Sequence, residues 1–138
     1  MKQELKILAA GLAFFAVYLP IALWAGSYYV PADRPPGAVV EPLLGIAQGL
    51  GVSYRAQALV LWKQADASED NMRSPVVLYE GLTPLGPARS YIKEIQDTGQ
   101  GRFAHVMFSN DPRSFVIFSS SDNSDPRTNG RKYWLVLP

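Results

Sequence analysis

The polarity pattern divides the chain near residue 30. From Ile7 to Tyr29 no residue is charged and most are apolar, over about 23 positions. A helix needs ~20 apolar residues to cross the hydrocarbon core of a bilayer. Residues 1–30 therefore read as a transmembrane anchor, and the sequence after Pro31 is of ordinary soluble type. A cleaved signal peptide is the rival reading, with Ala25-Gly26-Ser27 as its cleavage site. Two features count against it: the apolar run is longer than the roughly 7–15 residues such peptides use, and Trp24, Tyr28 and Tyr29 fall where an interfacial aromatic belt would lie. Pro20 removes one backbone hydrogen bond inside the span and predicts a kink. Ala9 with Ala13, and Ala22 with Gly26, form two small-xxx-small pairs on which another helix could pack closely.

Beyond the span the periods change. Residues 31–52 read as a proline-rich linker followed by a short helix. Proline at positions 31, 35 and 36 favours extended backbone. Glu41-Pro42 resembles a helix start, with Leu43, Ile46, Ala47 and Leu50 at helical spacing. Residues 53–138 predict an α+β domain, mostly antiparallel, of about five strands and one packed helix. The strands are expected within Ser53–Trp62, on the apolar run Ala58-Leu59-Val60-Leu61-Trp62, at Val76–Tyr79, Arg102–Phe108 and Ser114–Ser119, and at Tyr133–Leu137. Phe115-Val116-Ile117-Phe118 is apolar on both faces and predicts a central strand, joined to its predecessor by the turn Asn110-Asp111-Pro112-Arg113. Ala88, Tyr91, Ile92 and Ile95 set the helix, opened by Gly86-Pro87 and closed by Gly99. The polar stretch Ala65–Ser74 reads as an exposed loop, with Glu69-Asp70 a solvated pair.

Charge narrows the partners. Lys2, Lys6 and Glu4 precede the span, leaving 11 basic and 11 acidic residues after Tyr29. A neutral domain lacks the concentrated positive footprint of nucleic-acid binding. Lys2 and Lys6 favour a cytoplasmic N-terminus and an extracytoplasmic, periplasmic domain at a bacterial inner membrane. The span contains no His, Asp, Glu, Lys or Arg, so it offers no proton relay and no imidazole ligand for a pigment or haem. There is no cysteine, which excludes disulfides, thiolate nucleophiles and Cys-based metal sites. No cofactor and no metal are expected.

The densest polar stretch is Ser119–Arg131. Asp122, Asn123, Asp125, Arg127, Asn129 and Arg131 lie within it. One reading is a loop satisfied by its own side chains, with Asn129-Gly130 as a type I′ hairpin turn. A second is a binding surface whose carboxylates, amides and guanidiniums meet sugar hydroxyls or a protein partner. A third is a non-standard cation site; the EF-hand pattern itself fails, because counting from Asp122 puts Ser124 and Pro126 at the next ligand positions. His105 stands alone as the histidine of the chain and reads as a packing residue of a strand. No nucleophile elbow, zinc helix or phosphate loop occurs. Ser119–Ser121 have no evident base, and Glu80, Glu94 and Asp97 have no evident meeting point. The chain is not expected to be an enzyme.

Four runs carry a resemblance: Ser74-Pro75-Val76-Val77-Leu78-Tyr79-Glu80-Gly81, Pro84-Leu85-Gly86-Pro87-Ala88, Gly99-Gln100-Gly101-Arg102-Phe103-Ala104-His105, and Ser121 through Arg131. Together, over about residues 74–136, they resemble a short bacterial module associated with cell-surface polysaccharide proteins, attached to or encoded beside glycosyltransferases and methyltransferases. The resemblance implies no catalytic residue. Two functions follow as expectations. The first is a non-catalytic accessory subunit of a larger membrane protein complex, bioenergetic or photosynthetic assemblies being possible hosts. In it the helix contacts lipid and integral membrane partners. The alternative is a membrane-tethered module for glycan binding or surface-polysaccharide assembly.

Overall fold

A computed structural model describes residues 1–28 and 33–138. Tyr29 of the expected aromatic belt and Pro31-Ala32 of the expected linker lie outside the described residues. The chain divides into two compact units, Met1–Ala32 and Asp33–Pro138.

The first unit is helix α1, Lys2–Ser27. Its 26 residues rise about 39 Å at the α-helical 1.5 Å per residue. The helix runs on through Pro20, which donates no backbone hydrogen bond of its own. By length and composition α1 is able to cross a membrane; a signal sequence near an N-terminus meets the same criteria. Ala9, Ala13, Ala22 and Gly26 all lie on it, and a Cβ at Gly26 would meet nothing within 4 Å. Phe14 stacks on Tyr18 at 5.5 Å and Trp24 meets Tyr28 at 5.2 Å, four residues apart on one helix face.

The second unit is α+β. Its described strands are β1 (Val39–Pro42), β2 (Ala47–Gln48), β3 (Tyr54–Ala58), β4 (Val77–Glu80), β5 (Thr83–Pro84), β6 (Phe103–Met107), β7 (Ser114–Phe118) and β8 (Tyr133–Leu137), with one α-helix, α2 (Ile92–Asp97). Two four-stranded antiparallel sheets form. Sheet A runs β1-β8-β4-β5 and sheet B runs β2-β3-β7-β6. One core cluster draws Leu78, Tyr133 and Leu135 from sheet A and Tyr54, Ala56, Ala58, Phe103, Val116 and Phe118 from sheet B. The sheets therefore face each other across it, as in a sandwich. A smaller cluster of Ile95, Ala104, Val106 and Ile117 seats α2 on the outer face of sheet B. The Asn110–Arg113 turn joins β6 to β7, and β7 is central, between β3 and β6. Its apolar run is buried on both faces because the inter-sheet core covers one and α2 packs on the other, while β3 and β6 take up its backbone hydrogen bonds.

Three expectations are corrected. Residues 39–51 are not a helix: Val39–Pro42 pairs with β8 and Ala47–Gln48 with β3. Val39-Val40 favours strand, Gly45, Gly49 and Gly51 disfavour helix, and the Glu41 side chain is held by another segment. Gly51 turns at φ +58°, where a Cβ would lie 2.1 Å from the Gln96 carbonyl oxygen. The second helix begins at Ile92, not at Pro87. Ser90 ties the preceding residues elsewhere, its amide donating to the Phe103 carbonyl and its hydroxyl to that of Pro87. Gly99 does close it, at φ +64°. Finally, Asn129-Gly130 is no type I′ hairpin turn: Gly130 alone of the two has positive φ, and β7 and β8 belong to different sheets.

Candidate functional site

The 119–131 loop carries the chain from sheet B to sheet A, and its side chains are spent on that crossing. Asp122 accepts from Arg131 Nη1 at 3.0 Å and Nη2 at 2.8 Å, and from the Ser124 amide and hydroxyl. Arg131 also donates to Glu80 Oε1 at 3.0 Å. Glu80, at the end of β4, takes three further bonds, from the Ser121 amide, the Ser121 hydroxyl and the Tyr133 hydroxyl. Asn129 Nδ2 donates to the Tyr133 hydroxyl at 2.8 Å and to Ser124 Oγ, while its Oδ1 accepts from the Arg131 amide. Asn123, at φ +60°, reaches the other way. Its Oδ1 accepts from the Gln100 amide and its Nδ2 donates to the Thr98 carbonyl, tying the loop to the end of α2. Asp125 is chelated by the Arg127 amide, Nε and Nη2, and the Arg127 guanidinium lies 5.5 Å from the Tyr54 ring.

The structure brings Asp122, Asn129 and Arg131 into one network and pairs Asp125 with Arg127, while Asn123 bonds elsewhere, to Gln100 and Thr98. The Arg131 guanidinium holds the Asp122 carboxyl well below the carboxylate range, helped by Ser124, and Asp122 in turn raises Arg131. Burial pushes the Tyr133 hydroxyl up to about 12; the Asn129 bond opposes this and the Glu80 bond adds to it. Among the described residues no group of three or more His, Cys, Asp or Glu side chains is placed to hold a metal ion. Ser119 Oγ accepts from the Gly101 amide. Of the three acids without an evident meeting point, Glu80 enters this network, Asp97 pairs with Lys93, and Glu94 lies on α2.

No family model, curated protein or solved structure matches this chain.

A second polar assembly lies under residues 59–76, and most of it is not where the sequence suggested. Asp66 and Ser74 are buried, not in an exposed loop. Asp66 accepts from the amides of Arg73 and Ser74, and its own backbone pairs with the β6 edge at Val106. Glu69 accepts from the Ile92 amide at 2.9 Å and so caps α2 instead of facing water. Glu41, expected at a helix start, is 4% exposed and accepts from the amides of Leu59 and Leu61. Two buried carboxylates therefore fix a segment whose only regular structure is two short 3-10 turns, Trp62–Gln64 and Glu69–Asn71. The alternation of Glu41 with Leu43 was the one signal of inward-facing strand positions there. The donors lie 18 and 20 residues away, beyond the reach of local pattern.

His105 Nδ1 meets Ser74 Oγ at 3.2 Å, and its Nε2 is buried without a hydrogen-bond partner. Desolvation pushes its pKa down to about 4, against the pull of Asp66 and Glu41. The Ser–His pair is sealed, with Ser74 5% and His105 2% exposed, and Asp66 is bonded to backbone rather than to the ring. The pair packs the sandwich.

What this segment does present is apolar. Leu59 and Val60 are more than 60% exposed and Trp62 is 44% exposed, with the Lys63 ammonium 5.4 Å from its ring, while Leu61 between them is buried. The turn follows Ala58, at the end of sheet B shared with Ser114 and Met107. Asp33, the first described residue of the domain, pairs with Lys132 beside Tyr133. Tyr133 meets Phe118 at 5.2 Å, which puts Asp33 at the opposite end of the sandwich.

Proposed function

We propose that this chain is a non-catalytic accessory subunit of a larger membrane protein assembly. In this reading α1 anchors it in a bacterial inner membrane with the N-terminus cytoplasmic, and the β domain is a periplasmic head that braces partner proteins. The observation that carries it is the Leu59–Trp62 turn. Exposed apolar side chains on a backbone locked by a buried carboxylate form a preorganised contact rather than a loose loop. The uncharged run of α1 from Ile7 to Ser27, with Ala9, Ala13, Ala22 and Gly26 at close-packing spacing, supports lateral contact with integral membrane helices.

The test is native mass analysis of the intact chain, extracted at native expression in a mild detergent. Migration within a larger assembly is expected, and a Leu59→Ser, Val60→Ser double variant is expected to weaken it. Migration as a free 15.2 kDa chain would refute the reading. Carbohydrate retention by the intact chain, lost in Arg127→Ala, would move the assignment to a membrane-tethered glycan module.

A further inference from the structure

The outer face of sheet B is covered by α2 only in part. Ala104, Val106 and Ile117 lie under the helix, while Arg55 and Gln57 of β3 and Phe115 of β7 lie beyond it on the same face. A cleft of about 460 Å³ opens there, lined by Gly45, Arg55, Gln57, Asn110, Arg113 and Phe115. The guanidinium carbons of Arg55 and Arg113 stand 6.0 and 5.5 Å from the centroid of the Phe115 ring, so one aromatic ring lies beside both.

The two arginines differ in what they hold. Arg113 donates through Nε and Nη2 to Asp111, the carboxylate that shares the cleft, and the charges of that pair cancel. Arg55 is exposed and makes no hydrogen bond or salt bridge among the described residues, its charge reaching Asp111 only at longer range. With Arg113 and Asp111 paired, the cleft keeps one net positive charge, on a planar group whose five donors face solvent. An adjoining apolar cavity of about 250 Å³ shares Arg55 and Phe108 with it and adds Leu50, Ile92 and Ile117. A planar cation between a polar and an apolar hollow matches a planar anion on an apolar body.

We propose that this cleft binds a small amphipathic oxyanion, a carboxylate or phosphate on a short apolar body. Arg55 grips the anionic group, and Gln57 and Asn110 supply amide donors at the rim. The site does not depend on the membrane or partner reading above. Its ligand could be a free acid or a lipid headgroup, since both offer the same chemistry to Arg55.

The experiment uses the intact chain, labelled with 15N-arginine, in nanodiscs of phosphatidylcholine. Hexanoate and, separately, inorganic phosphate are titrated while the arginine Nε–H resonances are followed. The Arg55 signal, identified by its loss in Arg55→Gln, is expected to shift saturably with hexanoate, with a midpoint of roughly 1 mM, the scale of one charge-assisted grip. Lys93→Gln, which alters an exposed pair on α2, should leave that response intact. In nanodiscs containing phosphatidylglycerol, a shifted Arg55 signal before any titrant is added, with hexanoate then inert, assigns the ligand to the headgroup. A shift that rises linearly and is matched by chloride at equal ionic strength would overturn the proposal. So would a saturable shift at Arg113 with Arg55 unmoved.

Discussion

Acidification should loosen the domain through His105. The ring is 2% exposed, and its pKa falls from the ordinary 6.5 to about 4 on folding. In the unfolded chain it takes up a proton near pH 6.5, whereas the folded ring stays neutral until about pH 4. Between those values the unfolded state binds more protons, so stability falls as pH falls. The contribution is fully present above about pH 6.5. At about pH 5 roughly 2 kcal/mol is lost relative to pH 7, and the limit below pH 4 is about 3 kcal/mol. That is a sizeable part of the ~5–15 kcal/mol that holds a small domain folded. The depressed carboxylates act in a lower window. Asp111, held down to about 2 by Arg113, loses its contribution only as pH drops below its ordinary 3.8. The assay is urea unfolding of the intact chain in detergent between pH 7 and pH 4.5, followed by near-UV circular dichroism. His105→Asn, which places a non-titrating amide near Ser74 Oγ, is expected to flatten the pH dependence. An unchanged slope in that variant would refute the assignment of this window to His105.

Three further outcomes follow from the geometry. Glu41→Ala leaves the Leu59 and Leu61 amides without their acceptor and should cost about 2–4 kcal/mol by urea unfolding, with Glu41→Gln costing less than half of that. It should also weaken co-migration with partners, because the apolar turn loses its fixed shape. Gly51→Ala forces a Cβ to within 2.1 Å of the Gln96 carbonyl at a positive φ, and a loss of at least about 2 kcal/mol is expected in the same assay. Asn123→Ala removes the two bonds that tie the loop to the end of α2, for about 1–2 kcal/mol, and hydrogen exchange at Gln100 should rise.

The strands that could be read in advance are those whose own side chains specify them. Val77–Glu80, Phe103–Met107, Ser114–Phe118 and Tyr133–Leu137 are short apolar or alternating runs bounded by turn residues. β1, β2 and β5 were missed because two to four residues set no period. Their strand character comes from pairing with β8, β3 and β4. In the 119–131 loop the self-bonding residue types were legible. Their closure onto Glu80, Tyr133 and Thr98 was not, since those partners lie up to 51 residues away.

By itself, the order of residues determined a hydrocarbon-length apolar segment, a chemically neutral remainder without cysteine, and an α+β composition of strands around one helix. Those properties depend on local composition and short periods, which need no neighbour to be expressed. The tertiary structure alone decided that Glu41 and Asp66 are buried clamps and that the polar loop is occupied by its own partners. It also decided that Leu59 and Val60 expose apolar surface and that the Arg55 guanidinium faces solvent without a protein hydrogen-bond partner among the described residues. Burial and hydrogen-bond satisfaction are properties of which distant segments meet, and that meeting is fixed only when the two sheets close over their common core.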